Sequence, residues 1–123
     1  MGKFVQKITI TKDRGDGDTL VFVVAPMTKA AALQLHTMKR VPVLDEKSDL
    51  VMDPETGRAQ TTLSDESIMQ LVDSFGTHVE SIAGARDAGG GDVSKETILN
   101  TAYYFGVLVE AAGEWSARSL SGN

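Results

Sequence analysis

Apolar and polar residues alternate over KITITKDRGDGDTLVFVV. Ile8 and Ile10 are separated by Thr9 and Thr11, and Leu20, Phe22 and Val24 follow a Gly/Asp-rich turn. Period-two alternation on both sides of a turn predicts a β-hairpin over 1–26. The side chains also choose its register. A two-residue turn at Asp16-Gly17 pairs Ile10 with Val23 and sets Leu20, Phe22 and Val24 against Asp13, Thr11 and Thr9. A three-residue loop, Gly15-Asp16-Gly17, pairs Ile10 with Phe22 and Ile8 with Val24. It gathers the large apolar groups on one face and is the expected register.

Beyond Pro26 the period lengthens. A helix is predicted over 27–40, opening near Thr28, with Ala31, Leu35 and Met38 on one face and Pro42 ending it. Residues 41–62 carry Pro42, Pro54 and Gly57 and read as an acidic irregular loop. Within it, DPETGR is the tip of a short hairpin between Leu50–Met52 and Ala59–Thr62. A second helix is predicted over 64–84. Ser64 caps it, Asp65 and Glu66 favour its positive end, and Leu63 staples onto Ile68. Its stripe is Ile68, Leu71, Val72, Phe75, Val79 and Ile82, the spacing of a buried helical face.

A third helix, 94–119, repeats that start with Ser94, Glu96 and Val93 packing on Ile98. Its stripe is Ile98, Ala102, Phe105, Val109 and Ala112, widened by Leu99, Tyr103, Leu108 and Trp115. Gly106, Ala111, Ala112 and Gly113 leave room for a close helix. The intervening IAGARDAGGGDVSK is expected to be a turn, with Gly84 or Gly89 in the left-handed conformation. The class is therefore α+β, mostly α. A single domain, 1–123, holds an N-terminal β-hairpin followed by about three helices, the last two forming a helical hairpin.

Composition narrows the chemistry. The 123 residues suffice for a modest core, and the absence of Cys removes disulfides, thiolate metal sites and thiol catalysis, as suits a cytosolic protein. No apolar run is long enough for a membrane span, and no secretory signal is apparent, so a soluble intracellular chain is expected. Charge is uneven: residues 1–40 balance at +4, 41–66 at −5 and 67–123 at −4. An acidic chain without a basic helix is a poor nucleic-acid ligand. Its basic N-terminal part suits an acidic partner, another copy's acidic half, or simply solvent.

Motifs for catalysis are missing. AGGGDVSKET follows a helix, lacks the GK[ST] ending and puts Asp92 where an anion would sit, so it is not expected to hold phosphate. DRGDGD lacks the spacing of a calcium loop, and its Arg14-Gly15-Asp16 tripeptide reads as a hairpin turn. His36 and His78 lie on separate helices without metal-ligand spacing, and Ser residues sit at caps rather than in a nucleophile motif. No catalytic, metal-binding or cofactor-binding residue is assigned, and an enzyme is not expected. Phe75, Phe105, Tyr103, Tyr104 and Trp115 either build the core or, with Met38 and Met69, line a partner groove.

The order of parts carries a resemblance. An N-terminal hairpin, a short helix, a variable loop, a helix running into HVESIAGARDAGGGDVS with Ile82, Gly84, Asp87 and Gly90, and a terminal helix ILNTAYYFGVLVEAAGEWSARSL are similar to the tail assembly chaperones of long-tailed bacteriophages. The resemblance spans most of the chain, except VLDEKSDLVMDPETGRAQTT. It implies a non-catalytic host-cytoplasmic protein that coats the tape-measure protein, helps recruit tail-tube subunits and in some members forms homo-oligomers. It also implies a longer product made by ribosomal frameshifting, with which the terminal Ser121-Gly122-Asn123 is compatible. A small virion protein of the head–tail joint or tail end, and an unrelated partner-binding domain, are the alternatives.

Overall fold

A computed structural model describes residues 6–121. The first five residues of the 1–26 segment, and Gly122 and Asn123 of the terminal tripeptide, lie outside that range. The α+β class and the N-terminal hairpin are as expected. Strand β1 (Ile8–Asp13) pairs antiparallel with β2 (Thr19–Val24), matching Ile8 with Val24 and Ile10 with Phe22. The three-residue loop sets that register: the Arg14 N–H donates to Asp18 O at 3.0 Å, and Asp13 and Asp16 accept amides from Gly15 and Asp18. Ile8, Ile10, Leu20, Phe22 and Val24 are all buried on the inner face.

A third strand was not visible in the sequence. The second helix, α2, is Asp65–His78 rather than 64–84, and Val79–Ala83 forms β5, antiparallel to β2 in a sheet of order β1-β2-β5. Two local features end α2. Thr77 Oγ1 donates to Ser74 O at 2.8 Å, and His78 Nδ1 lies 2.7 Å from the same carbonyl. The sheet then captures the exit, with the Ala25 N–H donating to His78 O at 3.0 Å. A register shift between Val23 and Val24 places Val79 opposite Val24 and Ile82 opposite Phe22, so two residues three apart both face the core. That spacing imitates a helix turn, and a β-bulge produces it within a strand.

Ser64 and Ser94 cap as predicted, accepting from the Ser67 and Thr97 amides at 3.2 Å. The third helix is interrupted. Helix α3 covers Lys95–Asn100; Thr101 is extended, and a single turn at Ala102–Tyr104 leads into α4 (Phe105–Ser121). Asn100 Nδ2 closes α3 on Glu96 O at 2.7 Å. One extended residue resets the helical phase. Tyr104, Leu108, Ala111 and Trp115 turn inward, whereas Ala102 and Phe105 of the expected stripe are exposed. Ala111 and Ala112 meet the core, but Gly106 and Gly113 face open space, so no helix among the described residues packs closely on them. Helices α2 and α4 do lie side by side, with β5, a loop and α3 between them in the chain.

Helix α1 (Lys29–His36) starts at the Thr28 cap, where Ala31 N–H donates to Thr28 Oγ1, and is shorter than 27–40. Lys39 is diverted from it: its N–H donates to Ser67 Oγ at 2.9 Å and its carbonyl accepts from Ser64 N. Residues 41–62 are accordingly no irregular loop. Strands β3 (Arg40–Pro42) and β4 (Thr61–Leu63) pair, and bridges Leu44–Leu50 and Met52–Ala59 extend them into a ribbon. Three hydrogen bonds knit its middle: Val43 N to Gln60 O, Val51 N to Val43 O, and Gln60 N to Val51 O.

The core closes on Trp115. Its ring lies edge-on to Phe75 at 5.7 Å and against His78 at 4.8 Å, Phe75 lies 5.6 Å from Phe22, and Trp115 Nε1 donates to Ala25 O at 2.9 Å. At the rim, Lys12 Nζ is 2.8 Å from Glu114 Oε1, Arg118 donates to Glu114 Oε2, and Arg118 also donates to Thr9 O. The hydrogen bond from Lys12, with lesser help from Arg118, holds the Glu114 carboxyl below the ordinary glutamate range.

Two outcomes follow from these contacts. Gly84 has φ +99°, and a Cβ there would stand 2.0 Å from Thr19 O. Gly84→Ala should therefore lower unfolding free energy by about 3 kcal/mol or more, measured by urea titration; an unchanged midpoint would refute the close approach. Because Glu114 binds its proton less readily folded than unfolded, its contribution is present above the unfolded pKa and is lost as pH falls through the folded one. Glu114→Gln should be less stable than the parent at neutral pH and lose less on acidification. Parallel stability–pH curves for the two proteins would remove Glu114 from the acid response.

Candidate partner-binding groove

The break at Thr101 opens a groove beside α2. Met69, Val72 and Asp73 form one wall, and Leu99, Asn100, Thr101, Ala102, Phe105 and Leu108 form the other, enclosing about 330 Å³. An uninterrupted helix would have laid its side chains over this space. The extended Thr101 backbone, with φ −113° and ψ 129°, instead leaves α3 and α4 offset. The groove continues along α2 past Gly76, where Leu99 Cδ2 lies 3.7 Å from the position a Cβ would take. Its lining is mostly apolar, with Asp73, Asn100 and Thr101 as polar groups. Met69 and Phe105, both substantially exposed, flank it. Such a lining offers an apolar side chain a dry seat, and the thioether of Met69 adapts to its shape.

The six predicted partner-binding residues divide. Met69 lies in the groove, and Met38 packs half-buried on the core. Phe75, Tyr104 and Trp115 are buried, so their place is the core and not a surface groove. Each lies on an inward face whose neighbours are other large apolar groups, which satisfies the same aromatic area a partner would cover. Tyr103 is exposed but occupied: its hydroxyl donates to Asp16 Oδ2 at 3.0 Å, and the Arg14 guanidinium lies 3.8 Å from its ring centre. The second ring beneath, Tyr104, is 5.0 Å from the same guanidinium. Tyr103 therefore pins the hairpin turn to the start of α4. Asp16 is held below its ordinary pKa, chiefly by the Asp18 amide and then the Tyr103 hydroxyl, and burial raises that of Tyr104.

Sequence reasoning offered Phe105 among the aromatic groove candidates but passed over Val72, Leu99, Ala102 and Leu108, since a continuous helix buries most of them. The available signal was Asn100-Thr101, two poor helix formers in succession at the phase change. The glycine-rich loop at 84–94 has its own internal ligand. Asp87 Oδ1 accepts the amides of Gly89 and Gly91 at 2.9 Å, and Arg86 pairs with Asp92 across the loop. Those amides face a carboxylate of the chain itself, so the loop is a turn closed by an Asp, as at Asp45, where Lys47 N and Asp49 N are accepted. The left-handed glycines are Gly84 and Gly90; Gly89 is not among them.

No family model, curated protein or solved structure matches the chain. Among the described residues, no helix is long and apolar enough to cross a membrane.

Gly76 permits a direct check on the groove wall. Its φ is ordinary and a Cβ would make only normal contact with Leu99. Gly76→Ala should raise stability by about 0.5–1 kcal/mol through the unfolded chain. A loss of stability on thermal unfolding would mean that Leu99 packs against α2 more tightly than described.

Proposed function

We propose that the chain is a non-enzymatic tail assembly chaperone of a long-tailed bacteriophage. In this reading it binds apolar helical stretches of the tape-measure protein in the host cytoplasm, helps recruit tail-tube subunits, and is left out of the mature virion. The observation that carries the reading is the open apolar groove between α2 and the α3–α4 break, flanked by exposed Met69 and Phe105. A helical client presents apolar side chains at intervals of three and four residues, and a groove of this lining accepts such anchors one after another. The layout of hairpin, helices and Gly84/Asp87/Gly90 connection supports the same family. A second reading, a small virion protein at the head–tail joint or tail end, draws on the exposed ribbon at 40–63, which offers extended backbone and aliphatic side chains to a neighbour.

Co-expression with the tape-measure protein encoded beside it separates these. The chaperone reading expects a soluble complex, and Met69→Asp with Phe105→Asp should weaken it by at least about tenfold in a pull-down titration, as loss of central apolar anchors does. An insoluble tape-measure protein in the presence of the parent chain would sink the proposal. Mass spectrometry of purified virions decides for the second reading if the chain is present at a fixed copy number.

A further inference from the structure

Side-chain charge at the groove is of one sign. Asp73 and Asn100 border both of its stretches, the one beside Met69 and the one beside Gly76, and they stand on opposite walls, Asp73 on α2 and Asn100 at the end of α3. Asp73 is exposed and meets no cation or hydrogen-bond donor among the described residues. Asn100 spends its Nδ2 on Glu96 O, which leaves Oδ1 without a donor among the described residues. Glu96, one turn earlier on α3, is a further exposed carboxylate without an ionic partner among them.

The cations on the neighbouring elements do not offset these groups. Lys95 sends its Nζ to Val79 O at 3.4 Å, past the far end of α2. Lys39 is tied through its backbone to Ser64 and Ser67 at the start of α2, where the carboxylates of Asp65 and Glu66 outnumber it. Arg14 is taken up by Tyr103 and Asp16. The backbone at the break is balanced, since among the described residues the last carbonyls of α3 and the first amides of the turn at Ala102–Tyr104 both lack backbone partners. On its other side Asp73 borders the hollow toward α1, where the titratable neighbour is His78. A carboxylate and an amide oxygen, both open and set into an apolar lining, are complementary to a cation carried beside an apolar side chain.

We infer that the helix docking in this groove is amphipathic and basic, each apolar anchor being accompanied three or four residues along by a Lys or Arg. The inference rests on the reading of the groove as a helix-binding site and names what that site selects. The anchor enters between Met69, Val72, Phe105 and Leu108; one turn further, the ammonium or guanidinium donates to the Asp73 carboxylate and Asn100 Oδ1. The apolar lining supplies affinity and Asp73 supplies specificity. A stretch with Glu in place of the cation is rejected, because its carboxylate is held against that of Asp73.

Fluorescence anisotropy with the full-length chain and three synthetic peptides tests it. Each peptide is an Ala-rich helix of about 20 residues with Leu anchors at intervals of three and four, and they differ only in carrying Lys, Gln or Glu one turn after each anchor. The Lys peptide should bind more tightly than the Glu peptide by about fivefold or more at about 0.1 M salt, and the gap should narrow at about 1 M, where the Debye length falls to about 3 Å. Asp73→Asn should bring the Lys and Glu peptides within about twofold of each other and leave the Gln peptide unchanged, while Asp73→Lys should reverse the order. Both substitutions fall on an exposed position of α2, and circular dichroism checks that the helix is kept. Equal binding of the three peptides, abolished by Met69→Asp, would overturn the inference while supporting the groove as a helix site. Discrimination that survives in Asp73→Asn would also overturn it, by placing the selective charge elsewhere. Failure of all three peptides to bind would overturn it too, and co-expression with the tape-measure protein would then decide the groove reading by itself.

Discussion

Trp115 can be wholly buried because Ala25 O accepts its indole N–H at 2.9 Å. A buried N–H without that acceptor would cost roughly 1–3 kcal/mol, comparable with what burial of a whole aliphatic side chain contributes. The same residue, Ala25, uses its own N–H on His78 O, the carbonyl at the end of α2. One peptide segment just beyond β2 therefore fastens α4 and the exit of α2 to the sheet. Phe75 and His78 of α2 complete the box around the indole, and Phe22 of β2 stands behind Phe75. The sheet, α2 and α4 converge here, and the remaining elements are placed by it.

What lies outside that junction is what is open to partners. The sheet packs one face on helices, and α4 begins only after the chain has turned at Thr101 to bring Tyr104, Leu108 and Trp115 inward. The phase change that serves the core also uncovers Ala102 and Phe105 and leaves the groove beside α2. The ribbon has the opposite origin. Among the described residues its hydrogen bonds to the rest of the fold lie at its base, where Lys39 meets Ser64 and Ser67, and it holds its shape by backbone pairing rather than by a core of its own. Its aliphatic side chains consequently remain at the surface.

Much of the local structure was legible. The hairpin and its register follow from placing Ile8, Ile10, Phe22 and Val24 on one face, and the caps at Thr28, Ser64 and Ser94 follow from residue type and position. β5 was not legible, because the bulge before Ser81 puts Val79 and Ile82 three residues apart on one face, the same spacing as a helix. The break at Thr101 was hidden in the same way: Ile98, Ala102, Phe105, Val109 and Ala112 fit a helical stripe on paper, yet of these only Ile98 and Ala112 are fully buried. Of the ribbon, the hairpin around DPETGR was legible and Met52 does pair with Ala59, but its base was not, since that pairing links residues up to 23 apart in sequence, Arg40 with Leu63, across segments too short to show a period. For the site, Met69 and Phe105 were found by residue type, while Phe75, Tyr104 and Trp115 belong to the core and Tyr103 is engaged by Asp16 and Arg14.

By itself the sequence determined the hairpin, its register, the helix starts and the α+β class, because alternation and capping are local and act within a few residues. Tertiary structure decided where α2 stops, which face of the last helix is buried and which apolar residues stay outside. Those choices depend on β2 accepting a third strand and on Trp115 reaching Ala25 across 90 residues. A local pattern shows that a side chain is apolar; only the three-dimensional packing shows whether the protein's own core already covers it.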